Sequence, residues 1–190
     1  MSLIFSSATN SKLDVMAIIE KYYNPESEAF AILVDHSMSV ANMALRCAAK
    51  HPELSLDLQF VEEAAMLHDI GIVGTSAESL DCHGSEPYIC HGVIGAEMLR
   101  KEGLDRHAMV CERHTGTGLS AAYIEKNGLP IPNREMLPVS LEEKLVCYAD
   151  KFFSKTHLGE ERSVELARKK LEKFGSETLA RFDEFHALFG

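Results

Sequence analysis

In the stretch Met66-Leu67-His68-Asp69-Ile70-Gly71, an imidazole and a carboxylate stand side by side in an apolar run that ends at a glycine. Val61, Ala64, Ala65 and His68 fall at i, i+3, i+4 and i+7, so they share one face of a helix and the pair lies at its inward, C-terminal edge. Burying a carboxylate beside an imidazole with nothing to compensate costs several kcal/mol or more. Any fold of this chain must therefore bring a metal, a cation or a full set of hydrogen bonds to His68 and Asp69. An isolated His-Asp dipeptide reads as a core histidine followed by a capping aspartate, so the other histidines decide between the two readings.

The surrounding pattern is helical throughout. Phe30, Leu33, Val34, Ser37, Val40, Ala41, Ala44, Leu45 and Ala48 keep a 3.6-residue period up to Lys50-His51-Pro52, with His36 at the edge of the stripe. Similar periods predict helices over 11–23, 57–69, 91–102, 107–114, 119–127, 141–152, 163–174 and 176–189. Ser140-Leu141-Glu142-Glu143 has the form of a capping box. Residues 72–88 carry no period and read as a loop, and no stretch shows strand alternation. The expected fold is all-α, and 190 residues suit one domain against a prior of ~150 per domain.

The charge and cysteine pattern narrows the function classes. A net charge of −10 argues against broad binding to nucleic acid or anionic membranes, because both need a basic face. Five scattered cysteines without a Cys-x-x-Cys indicate reduced thiols rather than a disulfide framework. Cys82, His83, Cys90 and His91 have poor spacing for a zinc knuckle. With no long apolar run and no signal-peptide pattern at the start, the expected location is the cytoplasm.

Placed on these helices, His36, His68-Asp69, His91, His114 and Asp150 fall at ends or inward edges of successive elements. The ordered set resembles the HD superfamily of metal-dependent phosphohydrolases, and Ile70-Gly71 resembles its HDIG subgroup. His91-Gly92-Val93-Ile94-Gly95-Ala96-Glu97 and Glu112-Arg113-His114-Thr115-Gly116 are similar to the extra histidine segments of members with two metals. Leu141 to Lys151 is similar to the segment that supplies the last aspartate. The resemblance implies a single-domain HD-type helical bundle. Residues 28–157 would form the HD domain, 1–27 a leader and N-terminal helix, and 158–190 C-terminal packing helices of the same domain.

It further implies that His36, His68, Asp69 and Asp150 hold one metal, while His91 and His114 complete a second with Asp69 bridging. Imidazoles and carboxylates suit iron, manganese, nickel, cobalt or zinc, with magnesium a further option. Metal-bound water would act on a small phosphate substrate, expected to be a nucleotide. Arg113, Lys151 and Lys155 are candidates for holding phosphate, and His83 is a candidate general acid at the mouth of the pocket. Uncharacterised HDIG proteins and symmetric dinucleoside tetraphosphatases are the nearest likenesses. The cyclic-di-GMP branch differs where this chain has Gly116-Thr117-Gly118. A di-iron oxygenase and a non-catalytic metal or nucleotide sensor are the alternatives. The sequence leaves the oligomeric state open.

Overall fold

The computed structural model describes residues 12–190, so the first eleven residues of the expected leader lie outside the described residues. The described residues form nine α-helices: α1 Val15–Glu20, α2 Glu28–Lys50, α3 Leu58–Leu67, α4 His91–Lys101, α5 Asp105–Arg113, α6 Ala121–Asn127, α7 Leu141–Asp150, α8 Val164–Leu171 and α9 Ser176–Phe189. The fold is all-α, as the periodicity predicts. The long α2 lies against α3, α7 and α9. Their inward residues Leu33, Val40, Ala44, Val61, Ala65, Val146, Phe182 and Phe189 are fully buried in one core.

Side-chain caps set most helix starts. Ser27, Asp57, Ser120, Ser140 and Ser163 each accept a hydrogen bond from the amide three residues on, satisfying an otherwise orphaned donor. The box at Ser140 closes differently from the sequence expectation. Glu143 Oε2 accepts from the Val139 amide at 3.0 Å, one residue earlier than a capping box requires.

Three boundaries also differ from the sequence reading. α6 begins at Ala121 rather than near Leu119, because Leu119 and Met136 exchange both backbone hydrogen bonds at 2.9 Å. α7 stops at Asp150 rather than running to residue 152. There the chain tightens, and the Arg162 guanidinium donates to the carbonyls of Lys151 and Phe153. Residues 72–88 are not a plain loop. Short 3₁₀ turns alternate with an antiparallel pair, β1 Ser76–Ala77 and β2 Cys82–His83, in register Ser76↔His83. The turn between them needs a left-handed residue, supplied by Asp81 at φ 53°. Strands of two residues are too short to leave an alternating signature.

Two glycines let α4 settle on the turn that follows Asp69. A Cβ at Gly71 would stand 2.1 Å from the His91 carbonyl oxygen and 2.3 Å from the Gly95 nitrogen. A Cβ at Gly95 would stand 2.3 Å from Cys111 Sγ. This backbone-to-backbone approach brings His91, the first residue of α4, towards Asp69.

Candidate metal centre

Five helices contribute to one buried cluster. His36 comes from the middle of α2, His68 and His114 follow directly on α3 and α5, His91 opens α4 and Asp150 ends α7. Asp69 lies beyond His68, and both residues are 0% exposed. Among the described residues the imidazoles and carboxylates form two groups: His36, His68, Asp69 and Asp150, and Asp69, His91 and His114.

Asp69 belongs to both groups through different oxygens. Its Oδ2 lies 3.2 Å from His36 Nε2 and 2.9 Å from His68 Nε2. Its Oδ1 lies 3.4 Å from His91 Nε2 and 3.3 Å from His114 Nε2. Asp150 Oδ1 closes the first group, 3.1 Å from His36 Nε2 and 3.5 Å from His68 Nε2.

The hydrogen bonds outside the cluster fix which nitrogen faces inward. Nδ1 of His68, His91 and His114 donates to the carbonyl three residues earlier, on Ala65, Tyr88 and Cys111, at 2.7, 2.6 and 2.7 Å. A carbonyl can only accept, so each Nδ1 carries a proton, and in its neutral form each ring presents its Nε2 lone pair to the centre. Such an outer hydrogen bond is also what orients metal-bound histidines. His91 Nε2 and His114 Nε2 are 3.1 Å apart. His68 Nε2 and both Asp69 oxygens make no hydrogen bond of good geometry despite complete burial, and of these atoms only Asp69 Oδ2 faces a cation, the Lys155 ammonium. Converging lone pairs and unsatisfied carboxylate oxygens require positive charge between them, and a divalent cation in each group fits this donor set.

Electrostatics agree with that assignment at His91 and His114. Burial pushes the His91 imidazole down to about 3, more than Asp69 can restore, so the ring is neutral. Burial likewise lowers His114. At His68 burial acts downward, but the adjoining Asp69 prevails and lifts the group to about 9, so a proton competes there with a metal. Burial raises the Asp69 carboxyl, yet the His68 imidazole and Lys155 ammonium outweigh it and hold the group well below the usual carboxylate range. Lys155 Nζ is 2.6 Å from Asp69 Oδ2, and Lys151 Nζ is 2.6 Å from Asp150 Oδ2. These lysines balance part of the carboxylate charge and leave the facing Nε2 atoms of His91 and His114 unmatched.

A cavity of about 620 Å³ adjoins the cluster at Asp150 and is lined by Lys151 and Lys155. The two other proposed substrate-handling residues lie elsewhere. Arg113 is engaged with both oxygens of buried Glu143, at 3.1 and 2.9 Å, and does not line the cavity. His83 is exposed in β2, 3.0 Å from Asp81 Oδ1, also off the cavity wall. Neither therefore lines the cavity: the hairpin turn holds His83 outward, and Glu143 accepts from Nη1 of Arg113. Sequence reasoning missed Tyr88, which stacks on His91 with ring centroids 4.7 Å apart and lines the cavity. Its signal was only an aromatic three residues before a candidate ligand.

An uncharacterised protein of Methanocaldococcus jannaschii is 36% identical over 144 residues, covering 74% of this chain and 76% of that one. A tRNA (cytidine(56)-2'-O)-methyltransferase of Thermoplasma volcanium is 32% identical over 155 residues, covering 80% of this chain and 41% of the methyltransferase. The corresponding Picrophilus torridus methyltransferase is 34% identical over 124 residues, with 65% and 32% covered. No solved structure matches the chain. The HD domain family model matches residues 33–155, a span that contains all six candidate ligands, and the chain belongs to the HD domain family.

Proposed function

We propose that this protein is a metal-dependent phosphohydrolase acting on a small phosphate ester or anhydride, with nucleotides as the substrate class. The observation that carries this reading is the division of Asp69 between two imidazole groups beside a lysine-lined cavity. His36, His68, Asp69 and Asp150 would hold one divalent ion, and Asp69, His91 and His114 a second. Bound there, such ions lower the pKa of water and neutralise phosphoryl oxygens. In the reaction the water oxygen forms a bond to phosphorus while the bond to the leaving oxygen breaks. The water surrenders one proton, and the leaving group takes one up from solvent.

The chain's own residues orient and shield this step. Lys155, at the junction of cluster and cavity with its ammonium 2.6 Å from Asp69 Oδ2, would offer its remaining donors to the phosphate. Lys151 spends two donors on Asp150 and the His114 carbonyl, leaving one for the substrate. Arg113 has a structural role through Glu143. Methyl transfer to tRNA is named for longer proteins of which this chain spans 41% and 32%, and a net charge of −10 offers RNA no broad basic face.

Phosphate release from a panel of nucleotides, dinucleoside polyphosphates and small phosphate esters tests the reading. Turnover dependent on manganese, iron, cobalt, nickel or magnesium is the expected result. No release with any of these metals would overturn it, and substrate-dependent oxygen uptake would favour an oxygenase.

A further inference from the structure

The cavity beside the cluster is positively charged in a chain of net charge −10. Its wall carries five cations, Lys151, Lys155, Arg162, Lys170 and Lys173, against one carboxylate, Asp150. Three of the five have partners close to the metal centre. Lys151 and Lys155 pair with Asp150 and Asp69, and Arg162 holds backbone carbonyls after α7. Lys170 and Lys173 differ: among the described residues neither makes an ion pair with a carboxylate. They lie three residues apart at the end of α8 and in the turn after it and both line the cavity, Lys173 with its ammonium 4.8 Å from the Phe174 ring centroid and at the border of a neighbouring cleft, whereas neighbouring Lys169 does not line the cavity. This wall lies beyond residue 155, outside the span matched by the family model.

We propose that Lys170 and Lys173 form a second phosphate-binding position, so that the preferred substrate is an organic molecule bearing two or more phosphate groups. The proposal rests on the phosphohydrolase reading for the fate of the reacting phosphate. That phosphate would lie against Lys155 at the metal centre, and a second would lie against Lys170 and Lys173. A volume of about 620 Å³ falls in the range of ordinary small-ligand sites, roughly 300–1,000 Å³. Tyr88, Leu80, Leu171 and Phe174 give the cavity apolar walls for the organic part. Unpaired ammonium groups contribute to binding in proportion to the charge that they meet, so a diphosphate gains from this position and a monophosphate does not.

Titration calorimetry on the metal-loaded protein, with excess magnesium, tests the position using methylenebisphosphonate and methylphosphonate as non-hydrolysable probes. Lys170→Ala/Lys173→Ala should weaken the bisphosphonate at least tenfold and methylphosphonate less than twofold, while Lys169→Ala changes neither. Both lysines are exposed, so the double variant should fold, and circular dichroism checks this. Equal weakening of both probes, or none, would overturn the proposal. Probe binding that needs the two lysines in a protein without hydrolytic activity would retain this position and sink the hydrolase reading. Hydrolysis of diphosphates unaffected by the double substitution would do the reverse.

Discussion

His91 Nε2 and His114 Nε2 stand 3.1 Å apart with their lone pairs turned towards each other, because each ring has committed its proton to a backbone carbonyl on its far side. Two acceptors at that distance repel unless a cation lies between or beside them. The purified protein should therefore contain divalent transition metal, up to two equivalents by elemental analysis. His91→Ala or His114→Ala should lower occupancy from two towards one with the fold intact. Less than about half an equivalent of any metal after reconstitution would contradict the assignment. Acidification should weaken binding, since His68, lifted to about 9, must release its proton to accept a metal.

Kinetics should separate the residues at the cluster from the candidate residues that lie off the cavity wall. Asp69→Ala removes both carboxylate oxygens shared by the two groups and should abolish phosphate release. Lys155→Ala should act mainly on KM, with a loss on the order of 1.5–3 kcal/mol for a charge-assisted hydrogen bond. His83→Ala should leave kcat and KM within about twofold of wild type, because the side chain is exposed and held by Asp81. A loss of activity in the His83 variant, checked in the same assay, would return that residue to the mechanism.

Gly71→Ala should destabilise the protein and lower metal occupancy together. The added Cβ meets the His91 carbonyl and the Gly95 amide, both backbone and neither able to rotate away. Overpacking of this kind costs at least about 1–3 kcal/mol. Separating α4 from the turn should move His91 away from Asp69. Thermal unfolding with metal analysis checks both effects, and unchanged values in the variant would refute this account of the glycine.

Buried Glu112, two residues before His114 and held between Arg100 and Arg134, provides a pH-dependent test on apoprotein. Burial raises its carboxyl, and hydrogen bonds from Arg134 and Arg100 outweigh that, so its folded-state pKa lies below the ordinary value of 4.5. A depressed carboxylate stabilises the folded state above its unfolded pKa and loses that contribution as pH falls through the folded one. Glu112→Gln should thus cost on the order of 1.5–3 kcal/mol at pH 7, with the gap to wild type closing below pH 4.5. Denaturant unfolding at pH 7 and pH 3.5 measures it; a gap of constant size would show that charge is irrelevant there.

The cluster was legible in sequence because its members occupy helix ends and stripe edges, where a polar residue interrupts an apolar period. On that ground alone His36, His68 and Asp150 are weak signals that also fit core or surface residues, and their reading as one ligand set followed from the likeness to a family. Partner choice was not legible. Nothing local distinguishes Arg113, bound to Glu143 thirty residues away, from a phosphate ligand. The cavity wall was equally hidden, since Lys170 and Lys173 have the spacing of any solvated helix face. The pair β1 and β2 escaped because two residues cannot establish a period.

The bonds from His68, His91 and His114 to carbonyls three residues earlier tie each imidazole to the backbone of a helix terminus. Helix termini are where helices fray first, and opening any of these turns would release its ring. Loading the centre should consequently slow amide hydrogen exchange in the last turns of α3 and α5 and the first turn of α4. The metals would then act as clasps on local opening in three helices at once.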